Sequence, residues 1–142
     1  MFEKSEVERL RAWHEFRDLL ETSNDPIQDT IELYNGAPLV NISVDPYNQD
    51  TWPNPWELLK ENTYCDFGII LAIAYTLQLT DRFSEAPKEI HISTNKNQAQ
   101  TKYLLYVDNK VVGFNRIAWV HEDDFDSSEW TVETKYQLPS YK

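Results

Sequence analysis

Glycine, cysteine and basic residues are all scarce in this chain, and each scarcity removes a class of function. The 3 glycines, at positions 36, 68 and 113, lie too far apart to build a phosphate-cradling loop, so nucleotide hydrolysis is unsupported. One cysteine, Cys65, cannot form an internal disulfide. Against 24 Asp and Glu stand only 13 Lys and Arg, which form no run. The resulting net charge of −11 opposes a phosphate backbone, so nucleic acid is not an expected partner. The longest apolar stretch, 67–79, is too short to cross a bilayer and is interrupted by Thr76 and Gln78, so no membrane span is expected. The first residues, Met1 to Lys4, are polar and lack the charged and apolar regions of a secretory signal; a protein made in a cytosol and not secreted is expected.

What is present is apolar surface in quantity. Hydrophobic residues make up 41% of the 142, and 13% are aromatic, which is enough to build one core despite a mean hydropathy of −0.61. We expect one domain over 1–142, with its core at about 25–120 and an extended tail at 131–142.

Helix signals open the chain. Ser5 with Glu8 forms a capping-box pattern ahead of Val7, Leu10, Trp13, Phe16 and Leu20 at helical spacing, predicting a helix over 6–21. Asp25, Pro26 and Gln28 start a second, ending near Gly36, and Asn54, Pro55 and Glu57 a short third. From about Tyr64 a helix follows with almost no polar face, which means burial on most sides and places Cys65 on its first turn. Alternation of apolar and polar residues predicts strands over 39–44, 89–94, 102–107 and 110–114, the last two joined through Asp108-Asn109, which tolerate positive φ in a tight turn. Residues 130–132 read as a further short strand. The expected class is therefore α+β, with helices first and a three- to four-stranded antiparallel sheet after.

A thiol at a helix start meets the positive end of the helix dipole, which favours the thiolate and hence nucleophilicity. Cysteine attack also needs a base within hydrogen-bond reach and an orienting group behind it. Of the 3 histidines, His14 lies in the first helix and His121 beside an acidic loop, leaving His91 on the first strand of the sheet as the candidate base and Asp108, or Asn109, as orienter. Asp108-Asn109 has a structural reason to exist as a hairpin turn, and Cys65 as a small buried hydrophobe.

The series Asp50, Trp52, Pro53, Pro55, Glu57, Leu58, Leu59, then Tyr64, Cys65, Asp66, Phe67, resembles the nucleophile region of bacterial transglutaminase-like cysteine proteinases. That resemblance implies a transglutaminase/papain-like core in which a helix presents the cysteine to an antiparallel sheet, and implies a cysteine hydrolase or acyl-transferase with Cys65 as nucleophile, His91 as base and Asp108 as orienter. By strand order the family's base position falls at Lys102-Tyr103 and its acid at Phe114-Asn115, and Asn62-Thr63-Tyr64 precedes the cysteine where the family carries Gly-Asp. A kept scaffold without the chemistry is the expectation.

A second likeness is to small proteins of T4-like marine phages, including cyanophages. It is carried by Asp25-Pro26-Ile27, Pro38 to Asn41, Asp45-Pro46-Tyr47, Trp52 to Leu59 and Tyr75 to Thr80. It implies a virion component of the neck, tail or baseplate, made in an infected bacterium's cytoplasm, with other phage proteins as partners in an assembly of several copies. Interface aromatics are then expected among Trp52, Trp56, Trp119, Trp130, Tyr136 and Tyr141, with residues 131–142 adding as an edge strand to another chain. No cofactor is expected. Glu122, Asp123, Asp124 and Asp126 lack the glycine and distal glutamate of a calcium loop and read as a solvated acidic stretch, and no second His or Cys near His121 has zinc-ligand spacing.

Overall fold

Three proline- or serine-marked starts set the helical half of this computed structural model, which describes residues 1–138. Ser5 caps α1 (Glu6–Leu20) by accepting from the Glu8 amide. Asp25 caps α2 (Pro26–Tyr34) in the same way through Gln28. Asn54 and Glu57 form a reciprocal capping box on α3 (Pro55–Glu61), which ends at Asn62 in the left-handed region at φ 53°. The apolar α4 (Asp66–Gln78) is buried on almost every side, as its sequence requires.

Helix α1 departs from its apolar stripe. Trp13 and Leu20 are buried, but Val7 is 67% exposed and Arg9 is buried in its place. The Arg9 guanidinium explains this: it donates to the carbonyls of Lys4, Leu59 and Lys60, satisfying the end of α3, whose last carbonyls have no helical partner.

The second half is one five-stranded antiparallel sheet in the order β4-β3-β2-β1-β5. Its strands are β1 (Lys88–Asn95), β2 (Gln100–Val107), β3 (Lys110–Val112), β4 (Val120–His121) and β5 (Thr131–Gln137). Asp108 and Asn109 both take positive φ, 50° and 62°, in the turn joining β2 to β3, the pairing of angles that matches strand twist in a two-residue hairpin. Gly113, at φ 107°, follows β3; a Cβ there would fall 2.3 Å from the Tyr103 carbonyl oxygen, so only glycine lets the chain pass β2 so closely.

The sheet corrects one expectation and bears on a second. Residues 39–44 form no strand: Leu39 makes one isolated parallel bridge to Tyr64, Leu39 to Ser43 are exposed with Ile42 at 83%, and Val44 alone turns into the core. The segment expected as an edge strand for another chain pairs with β1 of its own chain over Thr131–Gln137, with a bulge opposite Ile92 and Ser93, and is itself the outer strand on that side of the sheet. Leu39 to Val44 has the period of a strand but no neighbour to pair with, while residues 131–137 find the open edge of β1. Residues 139–142, the rest of the expected tail, lie outside the described residues.

One face of the sheet packs on α4. Ile90, Leu105, Val107 and Val112 join the α4 side chains in the core, and Tyr103 sets its ring against Phe67 at 5.3 Å. Because side chains alternate along a strand, Glu89, His91 and Ser93 of β1, with Leu104 and Tyr106 of β2, face the other way. Since β4 and β5 are opposite edges, the chain between them, 122–130, must cross that second face. Leu104 is accordingly 0% exposed although it points away from the helices. Lys102, paired with Ser93 on the same face, lies 5.8 Å from the Trp130 ring.

Candidate functional site

Cys65 is the N-cap of α4 and not a residue of its first turn. Its backbone is extended, and its Sγ accepts the Gly68 amide at 3.4 Å, the role an Asn or Asp oxygen more often plays. The preceding segment closes over it: the Ser43 hydroxyl accepts the Cys65 amide at 3.2 Å, and Val40 and Pro38 exchange backbone bonds with Tyr64. Burial pushes the thiol up, while the Ser43 hydroxyl and the backbone amides of Ser43, Gly68 and Val44 pull it down and leave it below its ordinary value. The thiolate is thus electrostatically favoured, yet the side chain is buried and its donors come from the chain's own caps.

The proposed base is elsewhere. His91 lies on the second face of the sheet, its ring stacked on Tyr106 at 4.1 Å, whereas Cys65 belongs to the core cluster on the first. The sheet stands between them. Strand alternation is the cause: Ile90 and Ile92 take the core positions, so His91 cannot. Both His91 ring nitrogens are buried without a hydrogen-bond partner; Glu89 is nearest, at 3.9 Å from Nε2. Burial lowers the His91 pKa, outweighing the opposing pull of Glu89.

Asp108 is likewise apart. It sits in the β2–β3 turn with a partly exposed side chain 3.4 Å from Lys110 Nζ, at the end of β2 remote from Tyr103. Asn109 is its partner in the same turn. The structure therefore brings none of Cys65, His91 and Asp108 together. His121 lies beside that turn, bonded through Nδ1 to the Asp123 amide, and His14 lies exposed on α1 next to Asp18.

The aromatic candidates divide between packing and surface. Trp52 sits on the core, 5.0 Å from Phe67 and 4.8 Å from Tyr136, with its indole N–H donated to the Asp45 carbonyl; it and Tyr136 join β5 to the loop before α3. Trp119 donates to the Asp25 carboxylate, which also caps α2, and Lys110 lies over its ring. Trp130 is half-buried near Lys102, Trp56 is exposed on α3, and Tyr141 lies outside the described residues. Sequence reasoning missed one stretch of exposed apolar side chains, Leu39, Val40 and Ile42, because residues 39–44 were read as a half-buried strand.

Among the described residues no three His, Cys, Asp or Glu side chains are grouped to hold a metal ion, and no helix is long and apolar enough to cross a membrane. The described residues form an α+β fold of four α-helices and a five-stranded antiparallel sheet. Comparison with models of known protein families gives no match, and comparison with curated proteins gives none.

Proposed function

We propose that this chain is a non-enzymatic assembly protein of a tailed-phage virion, a minor neck, tail or baseplate component, on a scaffold derived from a transglutaminase-like core that has lost its base. The observation that carries the non-enzymatic reading is the placement of Cys65 and His91 on opposite faces of the sheet. A cysteine hydrolase or acyl-transferase needs a base within reach of the sulfur. The other 2 of the 3 histidines lie exposed on α1 and β4. The donors around Cys65 Sγ cap a helix and a loop, which makes the residue a structural joint. Assembly through protein contacts is supported by the apolar side chains left open on residues 39–47. The phage assignment rests on the resemblance of the Trp52–Leu59 and Tyr75–Thr80 segments noted above.

The test is mass spectrometry of purified virions together with a Cys65→Ala phage. The chain present in particles, and normal particles from Cys65→Ala, is the expected result. Its absence from virions overturns the assembly reading.

A further inference from the structure

The face of the sheet turned away from α4 holds an imidazole that nothing bonds. His91 is 6% exposed, and neither of its ring nitrogens has a hydrogen-bond partner. Asn95, on the same face of β1, is buried with its Nδ2 unpaired as well. Native folds leave few polar atoms in this state, because each costs free energy that a partner or water would return.

Residues 122–130 cover this row. On this face β2 presents Tyr106, Leu104 and Lys102 in succession, opposite Glu89, His91 and Ser93 of β1. At one end the charge of Glu122 acts on both His91 and Tyr106. At the other, the Trp130 ring lies 5.8 Å from Lys102 Nζ. The buried His91–Leu104 pair lies between these two points. The cover is lightly held. Only Phe125 and Trp130 within it are half-buried, Phe125 through an edge contact with Phe114 at 5.3 Å, and its other side chains are exposed. The bonds from Phe125 to Glu122 and from Trp130 to Ser127 are local turns that survive its lifting, while the Glu122 amide, donated to the Asn109 carbonyl at 2.8 Å, fixes its start. A segment with so few buried apolar contacts opens at lower cost than the whole domain.

We propose that residues 122–130 form a pH-operated strap, closed over His91 at neutral pH and released from the sheet when the imidazole takes a proton. No neighbour stabilises a buried imidazolium. Glu89 stands 3.9 Å from Nε2, beyond hydrogen-bond distance; Lys135, paired with His91 on β5, and Lys102, on the same face of β2, carry the same charge the ring would gain. Burial outweighs the attraction of Glu89 and Glu122, and Lys135 adds repulsion, so the closed form takes up a proton less readily than an open one. By linkage the opening constant rises as the pH falls below 6.5, the ordinary value of a histidine, by up to about tenfold per pH unit. A second histidine sits at the start of the strap: His121 accepts the Asp123 amide through Nδ1 and lies 3.7 Å from the Asp123 carboxylate, where its imidazolium would exchange one contact for another.

The experiment is fluorine NMR of the full chain labelled with 5-fluorotryptophan, taken from about pH 7.5 to about pH 5, with each resonance assigned by a Trp→Phe substitution. As the pH falls below 6.5 the Trp130 resonance should move toward its position in the urea-unfolded chain, while those of Trp13 and Trp52, packed on the α4 side, stay in place. His91→Leu and His91→Gln should each make the Trp130 resonance independent of pH, and His121→Gln should leave the movement as in the parent. Trp13 and Trp52 resonances at their parent positions verify that each variant is folded. A Trp130 resonance that stays still in the parent, a movement that survives both His91 substitutions or disappears in His121→Gln, or one that Trp13 and Trp52 share, overturns the proposal.

Discussion

Replacing Thr76 with valine removes one oxygen and should loosen three helices at once. Thr76 is 0% exposed in α4, and its hydroxyl donates its single proton to the Ala72 carbonyl at 2.8 Å. It must therefore accept from both remaining neighbours, the Trp13 indole N–H of α1 and the Tyr34 hydroxyl of α2, each at 3.0 Å. Valine keeps the shape and offers neither donor an acceptor. A buried donor left unsatisfied costs about 1–3 kcal/mol, so the two together cost about 2–6, and partial relaxation around Trp13 brings the expected loss to about 3 kcal/mol. Thr76→Ser keeps the oxygen and forfeits one methyl group, about 1 kcal/mol. Urea unfolding followed by tryptophan fluorescence reads both variants against the parent. Thr76→Val within about 0.5 kcal/mol of Thr76→Ser would refute the reasoning, because the hydroxyl would then hold nothing that packing does not.

Two further outcomes follow from the sheet. His91 has its pKa lowered from 6.5 by burial, so the unfolded chain binds its proton more readily than the folded one. Its contribution to stability is present above pH 6.5 and is lost as the pH falls through the folded value; urea midpoints should decline across that window, and His91→Leu should flatten the decline. Asn109, at φ 62°, should not tolerate a β-branched side chain: Asn109→Val is expected to cost about 1–2 kcal/mol in thermal unfolding, whereas Asn109→Gly should cost nothing measurable.

Local signals carried far into this fold, and long-range ones did not. Asn54 with Glu57 announces α3, the run of aliphatic residues announces a helix buried all round, and Asp108-Asn109 announces the hairpin, because each depends on neighbours a few residues away. The pairing of β5 with β1 joins segments about forty residues apart through backbone groups that every residue carries, so nothing in residues 131–137 names its partner. The alternation at 39–44 was a true period without a strand beside it. His91 shows the limit most clearly for the site: alternation predicts that Ile90 and Ile92 share a face, and the same rule, applied to which face meets α4, removes His91 from Cys65. The strand positions of the site residues were legible; the side of the sheet on which the helix lies was not.

Separation of thiol and imidazole is tested most directly by the pH–rate profile of Cys65 alkylation with iodoacetamide in the folded protein, taken for the parent and for His91→Gln. With the sheet between the two groups, the profiles should superimpose, and the buried thiol should react slowly in both. A profile that His91→Gln shifts, or a rate that it lowers several-fold, would show the imidazole acting on the sulfur and would contradict the non-enzymatic account.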